Sequence, residues 1–208
     1  LSAELEESSR FDVDQVVMNQ ACVAAGLRDY QEVGVHHLVS QSGACLGDDM
    51  GLGKSRQTVV ATRLIAREGR VLILCPASLR INWEREIHAV YPQAVVGIIG
   101  EDRHATLYGC DWVIANYERL GGLVRDPGLA FEVMAIDEAH YLKEHQAGRT
   151  RNAFVLANRI PRRYVVTGTP LLNREVELHT LLRMTGHRLG SMSLRDLHAG
   201  VARIVVDH

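Results

Sequence analysis

The chain has 208 residues, 47% apolar and 23% charged, with a formal net charge of −2. These values suit one globular domain with a substantial core, and they exclude a global basic field, so any grip on nucleic acid has to come from a local patch. No apolar run approaches the roughly 18 residues of a membrane span, no signal-peptide pattern is visible, and Cys22, Cys45, Cys75 and Cys110 lack paired metal-ligand spacing. Buried free thiols in a reducing, cytoplasmic setting are the simplest reading of the cysteines. Only two of the 23 basic residues are lysines, a bias that suggests a GC-rich prokaryotic genome.

In chain order, Asp12 to Ala25 reads as a helix opened by an acidic cap, and Asp29 to Ser40 as a second helix. A short strand, Ala44 to Leu46, feeds a glycine-rich loop, and a helix follows from Lys54 to Arg67, stopped by Gly69. Val71 to Leu74 is a continuous apolar run ended by Pro76, the pattern of a strand buried on both faces. A helix from Leu79 to Val90 precedes strands at Val95 to Ile99, Trp112 to Ala115, Val133 to Ile136 and Tyr164 to Thr167. Glu175 to Arg183 reads as a helix, and beyond it only a weak helix, Leu194 to Ala199, and a strand-like Ile204 to Val206 are visible. Strands alternating with helices predict an α/β fold, a parallel sheet sandwiched between helices. Such a sheet collects its ligands at the carboxyl ends of the strands.

Two motifs sit where that rule puts a site. In the loop Gly47-Asp48-Asp49-Met50-Gly51-Leu52-Gly53-Lys54-Ser55, the glycines allow a tight path that turns backbone amides toward an anion, and the following helix adds its positive end. In a chain this poor in lysine, Lys54 suggests a site that wants a compact ammonium charge, as the β- and γ-phosphates of a nucleotide do, with the Ser55 hydroxyl on magnesium. Asp48 stands where the strict phosphate-loop pattern has its first glycine, and a glycine-rich turn with no ligand is the competing reading. Asp137-Glu138-Ala139-His140 follows the apolar run from Val133, which places both carboxylates at a strand tip, one to hold magnesium and the other to orient the attacking water. A lone Asp-Glu pair is often just an exposed turn; beside a phosphate loop it reads as the acidic half of a nucleotide triphosphatase.

Further segments join these in a fixed order: Tyr30-Gln31 with Gly34-Val35, Cys75-Pro76-Ala77-Ser78-Leu79 with Asn82-Trp83, Asn116-Tyr117-Glu118, and Thr167-Gly168-Thr169-Pro170-Leu171 with Asn173. Together they resemble the first RecA-like lobe of the Swi/Snf-type double-stranded DNA translocases of helicase superfamily two, over residues 27–183. The resemblance implies a RecA-like P-loop NTPase lobe, preceded by a helical lead-in (1–26) and followed by a segment leading out (184–208). It implies ATP and Mg2+ as cofactors, held by Arg28, Tyr30 and Gln31 at the base, by the Asp49, Met50, Gly51, Leu52, Gly53, Lys54 and Ser55 loop, and by Asp137 on the metal. Lys54, Asp137 and Glu138 would be catalytic. His140, Thr167, Gly168 and Thr169 would couple the nucleotide state to DNA, and Pro76, Ser78, Asn82 and Asn116 would face its backbone.

This sequence has Asp49 where the family usually has glutamate, Ser55 for threonine, and Leu172 for a frequent glutamine; the last removes a polar contact. The implied partners are double-stranded DNA, through its phosphates, and a second RecA-like lobe, with no membrane. Nothing after Pro170 resembles the second lobe's Gln-x-x-Gly-Arg-x-x-Arg motif, so these residues alone are expected to be nearly inactive. With DNA as partner, the prokaryotic composition would place the protein at the nucleoid. An RNA helicase lobe shares the Asp-Glu-Ala-His tetrad, although the phosphate-loop sequence argues against it, and a non-catalytic ATP-dependent interaction module is the other alternative.

Weaker signals carry two readings each. Arg149, Arg151, Arg159, Arg162 and Arg163 suggest either a phosphate-contacting patch or a solvated helix face. Trp83 suggests helix-on-sheet packing ahead of base stacking, Lys143 either a family residue or surface, and the His36-His37 pair no metal site.

Overall fold

The computed structural model describes residues 13–47, 51–142, 148–168 and 175–186. Helices α1 (Gln15–Ala24) and α2 (Asp29–Val39) lead into strand β1 (Gly43–Leu46) and helix α3 (Lys54–Ala66). Strand β2 (Val71–Cys75), helix α4 (Arg80–Val90) and strands β3 (Val96–Ile98) and β4 (Trp112–Asn116) follow. The short helix α5 (Gly121–Arg125), strand β5 (Val133–Asp137), helix α6 (Gly148–Arg159), strand β6 (Arg162–Val166) and helix α7 (Glu175–Met184) complete the order. Every helix and strand expected within the described residues is present, with ends shifted by up to three residues. Three parts of the fold are additions to the sequence reading: α6, α5, and 3-10 turns such as His104–Gly109. The weak elements after residue 186 lie outside the described residues.

The strands form one six-stranded sheet in the order β1-β6-β5-β2-β4-β3, and each pairing is parallel. Parallel strands need crossover connections, and the connecting helices cover both faces. Alternate side chains of β2 serve the two cores: Leu72 and Leu74 face one, with Val113, Phe154 and Leu156, while Val71, Ile73 and Cys75 face the other, with Leu38, Val59, Ile87 and Trp112. This is why β2 reads as an unbroken apolar run; all five of its residues are buried. The N-terminal lead-in joins the same body, since Met18 and Cys22 of α1 pack into the second core.

The paired register places the carboxyl ends of β1, β6, β5 and β2 side by side. The Thr167 N–H donates to Leu46 O (3.1 Å) and the Glu138 N–H to Val166 O (3.0 Å), so the turns after β1, β6 and β5 are tied into one rim. The opposite end is closed by Arg70, whose guanidinium donates to the carbonyls of Tyr108 (2.6 Å), Ala130 (2.8 Å) and Cys110 (3.1 Å). Among the described residues no helix is long and apolar enough to cross a membrane.

Candidate nucleotide site

At the rim the α3 N-terminus opens onto a cavity of about 710 Å³ lined by Arg28, Tyr30, Gln31, Gly51, Gly53, Lys54, Ser55, Arg56, Asn82, Arg85 and Glu86, with Gly26 at its edge. Gly53 caps α3 in the left-handed region (φ 72°), and a Cβ there would collide with the Gln31 amide. Both facts require glycine. Gly51 is also left-handed (φ 85°), so the backbone doubles back before the helix begins. No acidic residue occupies the first turn of α3, so the partial positive charge of that terminus, with Lys54 beside it, faces the cavity uncancelled by a side chain of its own turn.

Seven of the expected nucleotide contacts (Arg28, Tyr30, Gln31, Gly51, Gly53, Lys54 and Ser55) line this one hollow. Leu52 is exposed but not in the lining, and Asp49 and Met50 lie outside the described residues. The Gln31 side chain works inside the protein as well. Its Oε1 accepts from the Arg28 N–H (2.9 Å) and its Nε2 donates to Leu52 O (3.0 Å), which also accepts from Gln57 Nε2 (3.1 Å). The amide has a further donor and acceptor position beyond these two bonds, while bracing the loop that would carry the phosphates.

Asp137 ends β5 and is largely buried. Loss of hydration pushes its carboxyl up to about 6; the Trp83 hydrogen bond and the Lys54 charge pull the other way, while the neighbouring Glu138 charge pushes it further up. The Lys54 influence places phosphate loop and acidic motif within electrostatic reach of each other. Glu138 has φ 54°, left-handed and therefore strained for a residue with a Cβ. Two buried aromatic side chains hold its neighbour: Trp83 Nε1 donates to Asp137 Oδ2 (2.8 Å) and the Tyr117 hydroxyl donates to the Asp137 carbonyl. Tyr141 stacks on Tyr117, with centroids 5.9 Å apart and planes 8° from parallel. Sequence reasoning took Trp83 as packing, which it is at 2% exposure, but missed its bond to the acid.

The donor set fits magnesium. Ser55 Oγ and the Asp137 carboxylate would offer hard oxygen donors, and among the described residues no three His, Cys, Asp or Glu side chains gather into a cage. Magnesium at nucleotide sites takes one or two protein oxygens and completes its shell with phosphate and water.

Other expected residues fare differently. Thr167 is buried in the rim and Gly168 follows it; Thr169 and the His140 side chain lie outside the described residues. Of the four residues expected to face DNA, Ser78 and Asn82 are exposed, and Asn82 opens onto the nucleotide cavity. Pro76 and Asn116 are buried, so in this structure it is their segments rather than their side chains that reach the surface. Asn116 is held at the end of β4 and donates to Glu118 Oε2 (2.8 Å). The arginine group does not form one patch: Arg162 is buried and donates to Gln41 O (3.2 Å), Arg159 donates to Val124 O (2.7 Å), and Arg149 lies 3.9 Å from Glu118. Arg56, Arg85 and Glu86, with an Arg56–Glu86 ion pair of 3.2 Å, are cavity residues the sequence did not single out.

Residues 18–191 match the SNF2-related domain. The chain belongs to the SNF2 family. Among SNF2 relatives, the Xenopus tropicalis "SWI/SNF-related matrix-associated actin-dependent regulator of chromatin subfamily A-like protein 1" is 31% identical over 182 residues, covering 84% of this chain and 19% of that protein. The human "DNA annealing helicase and endonuclease ZRANB3" is 30% identical over 166 residues, covering 74% of this chain and 15% of that protein. The chain thus spans less than a fifth of the length of these curated relatives. A solved structure, "Sulfolobus solfataricus SWI2/SNF2 ATPase core in complex with dsDNA", superposes with a TM-score of 0.72 at 28% identity, over 83% of this chain and 38% of that one. The SNF2 fold here is RecA-like, as the sequence implied. The curated relatives named are animal proteins, so they lend no support to the prokaryotic origin suggested by the arginine bias.

Proposed function

We propose that this SNF2 lobe, residues 27–183, binds ATP with magnesium and, paired with a second RecA-like lobe, hydrolyses it to ADP and phosphate to move along double-stranded DNA. The observation that carries the reading is Lys54, in the cavity wall at the α3 N-terminus, lying within electrostatic reach of Asp137 at the tip of β5. Lys54 would bind the β- and γ-phosphates as a point charge, and the loop amides around Gly51 and Gly53 would cradle them. Ser55 and Asp137 would hold magnesium, which neutralises phosphate charge when bound. Glu138, aimed by its left-handed backbone, would orient the attacking water and accept its proton. Tyr30 and Arg28 flank the base, and Gln31 offers its remaining amide groups to the adenine edge. The kinship to an annealing helicase and to an ATPase core bound to duplex DNA supports duplex DNA as the track. The Swi/Snf-type resemblance points to a second RecA-like lobe as the partner that this one works with.

Lys54→Ala is expected to abolish binding of a fluorescent ATP analogue to this chain. In the two-lobed protein, Glu138→Gln is expected to keep nucleotide binding and lose the ATPase activity that duplex DNA stimulates, by about 10²- to 10⁴-fold. Activity indifferent to Glu138→Gln would overturn the hydrolytic reading. Stimulation by RNA in place of duplex DNA would overturn the choice of track.

A further inference from the structure

Asp137 is held from two sides by donors that neither its own strand nor the phosphate loop supplies. Trp83, on α4 and 2% exposed, gives its indole N–H to Oδ2 at 2.8 Å. Tyr117, in the turn after β4 and 1% exposed, gives its hydroxyl to the carbonyl of the same residue. A carboxylate at the end of a strand has a free χ2 rotation, and either oxygen could otherwise turn to a metal. With Oδ2 accepting from Trp83, that rotation is restricted and with it the direction in which Oδ1 faces.

The chemistry of the donor fits this task. An indole N–H is donor-only and carries no charge, so it fixes the ring of possible orientations without cancelling the negative charge a cation needs. A lysine or arginine in its place would pair with the carboxylate and compete with the metal. Outer-shell donors of this kind hold ligands in metal sites generally. The strained backbone of Glu138 (φ 54°) begins at the residue the two aromatics hold, so the same contacts stabilise the geometry of the second acid.

We propose that Trp83 is a positioning residue for the metal-side acid: its indole N–H takes one oxygen of Asp137 so that the other is presented to a magnesium–nucleotide complex, while Tyr117 fixes the residue through its carbonyl. The inference rests on the nucleotide reading of the site given above. It makes α4, which also puts Asn82, Arg85 and Glu86 in the cavity wall, a structural support of the magnesium site as well as a neighbour of the nucleotide.

Trp83→Phe keeps an aromatic ring and removes the donor. With a fluorescent ATP analogue bound to the chain, a magnesium titration is expected to show affinity weakened about 10- to 100-fold. Binding of the same analogue without magnesium, which depends on Lys54 and the loop, is expected to change less than about twofold, because the substitution leaves those groups in place. Equal weakening of both would make Trp83 only a packing residue and overturn the proposal, as would unchanged magnesium affinity. Lys54→Ala run alongside separates the two levels: loss of analogue binding there, with normal magnesium affinity in Trp83→Phe, sinks the positioning role alone, whereas intact analogue binding in Lys54→Ala sinks the site. If the phenylalanine variant does not fold, the unaltered chain still decides. Its two tryptophans give two indole N–H resonances in a 15N spectrum. One is expected to move when magnesium joins the nucleotide complex, and two stationary resonances would refute the assignment.

Discussion

Asp137→Asn separates the cost of the acid from its use. The asparagine keeps a side-chain oxygen that can accept from Trp83 but carries no charge. In the wild-type chain burial raises the Asp137 carboxyl from its ordinary value of 3.8 to about 6. The folded state therefore binds the proton more tightly than the unfolded chain, so this group's contribution to stability is fully present below pH 3.8 and is lost as pH rises through 6. One pKa unit corresponds to about 1.4 kcal/mol, so the full loss is on the order of 3 kcal/mol, of which about 1.4 kcal/mol falls between pH 5 and pH 8. Urea unfolding of both chains at those two pH values, without nucleotide or magnesium, measures it, and the difference between variant and wild type cancels the titrating groups that do not interact with Asp137. The variant is expected to gain on the wild type by that amount on going from pH 5 to pH 8, with the same dependence of stability on urea. A difference that does not change with pH, or one that shrinks toward pH 8, would show that the native Asp137 carboxylate is not penalised by its surroundings. The same variant is expected to lose magnesium-dependent nucleotide affinity, because the neutral amide is a poor ligand for a hard cation.

Other expected outcomes test parts of the architecture one at a time. Gly53→Ala places a Cβ in a left-handed position against the Gln31 amide; a stability loss of about 1–2 kcal/mol in urea, with weakened nucleotide binding, is expected. Arg70→Met removes the clasp on three carbonyls at the opposite end of the strands; it is expected to cost about 2–3 kcal/mol of stability while leaving nucleotide affinity per folded molecule unchanged. Burial pushes the Cys75 thiol up to about 12, aided by the Asp137 charge and opposed by Arg80, and the Cys45 thiol up to about 11. Both are expected to resist iodoacetamide at pH 8 in the native chain and to react once it is unfolded in urea, as followed by mass spectrometry.

The elements most legible in the sequence were those whose signal is local. Val71 to Cys75 is apolar at every position because both faces of β2 are covered, and the glycines at 51 and 53 announce a backbone that only glycine follows at low cost. Helix α6 was missed for a physical reason. Its first residues are Gly148, Arg149, Thr150 and Arg151, and its buried side is built from Thr150, Ala153, Phe154, Leu156 and Ala157, so small and polar residues dilute the apolar stripe. The arginines on and after it then looked like a surface group, although Arg162 lies inside at the start of β6, its charge met by a carbonyl from the turn before β1. Strand order was not legible at all, since nothing local says that β6 lies between β1 and β5.

The site shows the same division in a sharper form. Lys54, Asp137 and Glu138 stand out from spacing because phosphate and metal chemistry would leave few choices of side chain. The groups that hold Asp137 could not, because a tryptophan on α4 and a tyrosine after β4 have the composition of ordinary core and become donors only once the sheet brings three distant segments to one rim. Trp83 is 54 residues from Asp137 and Tyr117 is 20, and no periodicity links such distances. Each aromatic directly follows an asparagine that the resemblance assigned to the DNA side, Asn82 and Asn116, and each reaches the same acid on the nucleotide side. A displacement of α4 or of the turn after β4 would therefore have to move a donor of Asp137 or break its bond.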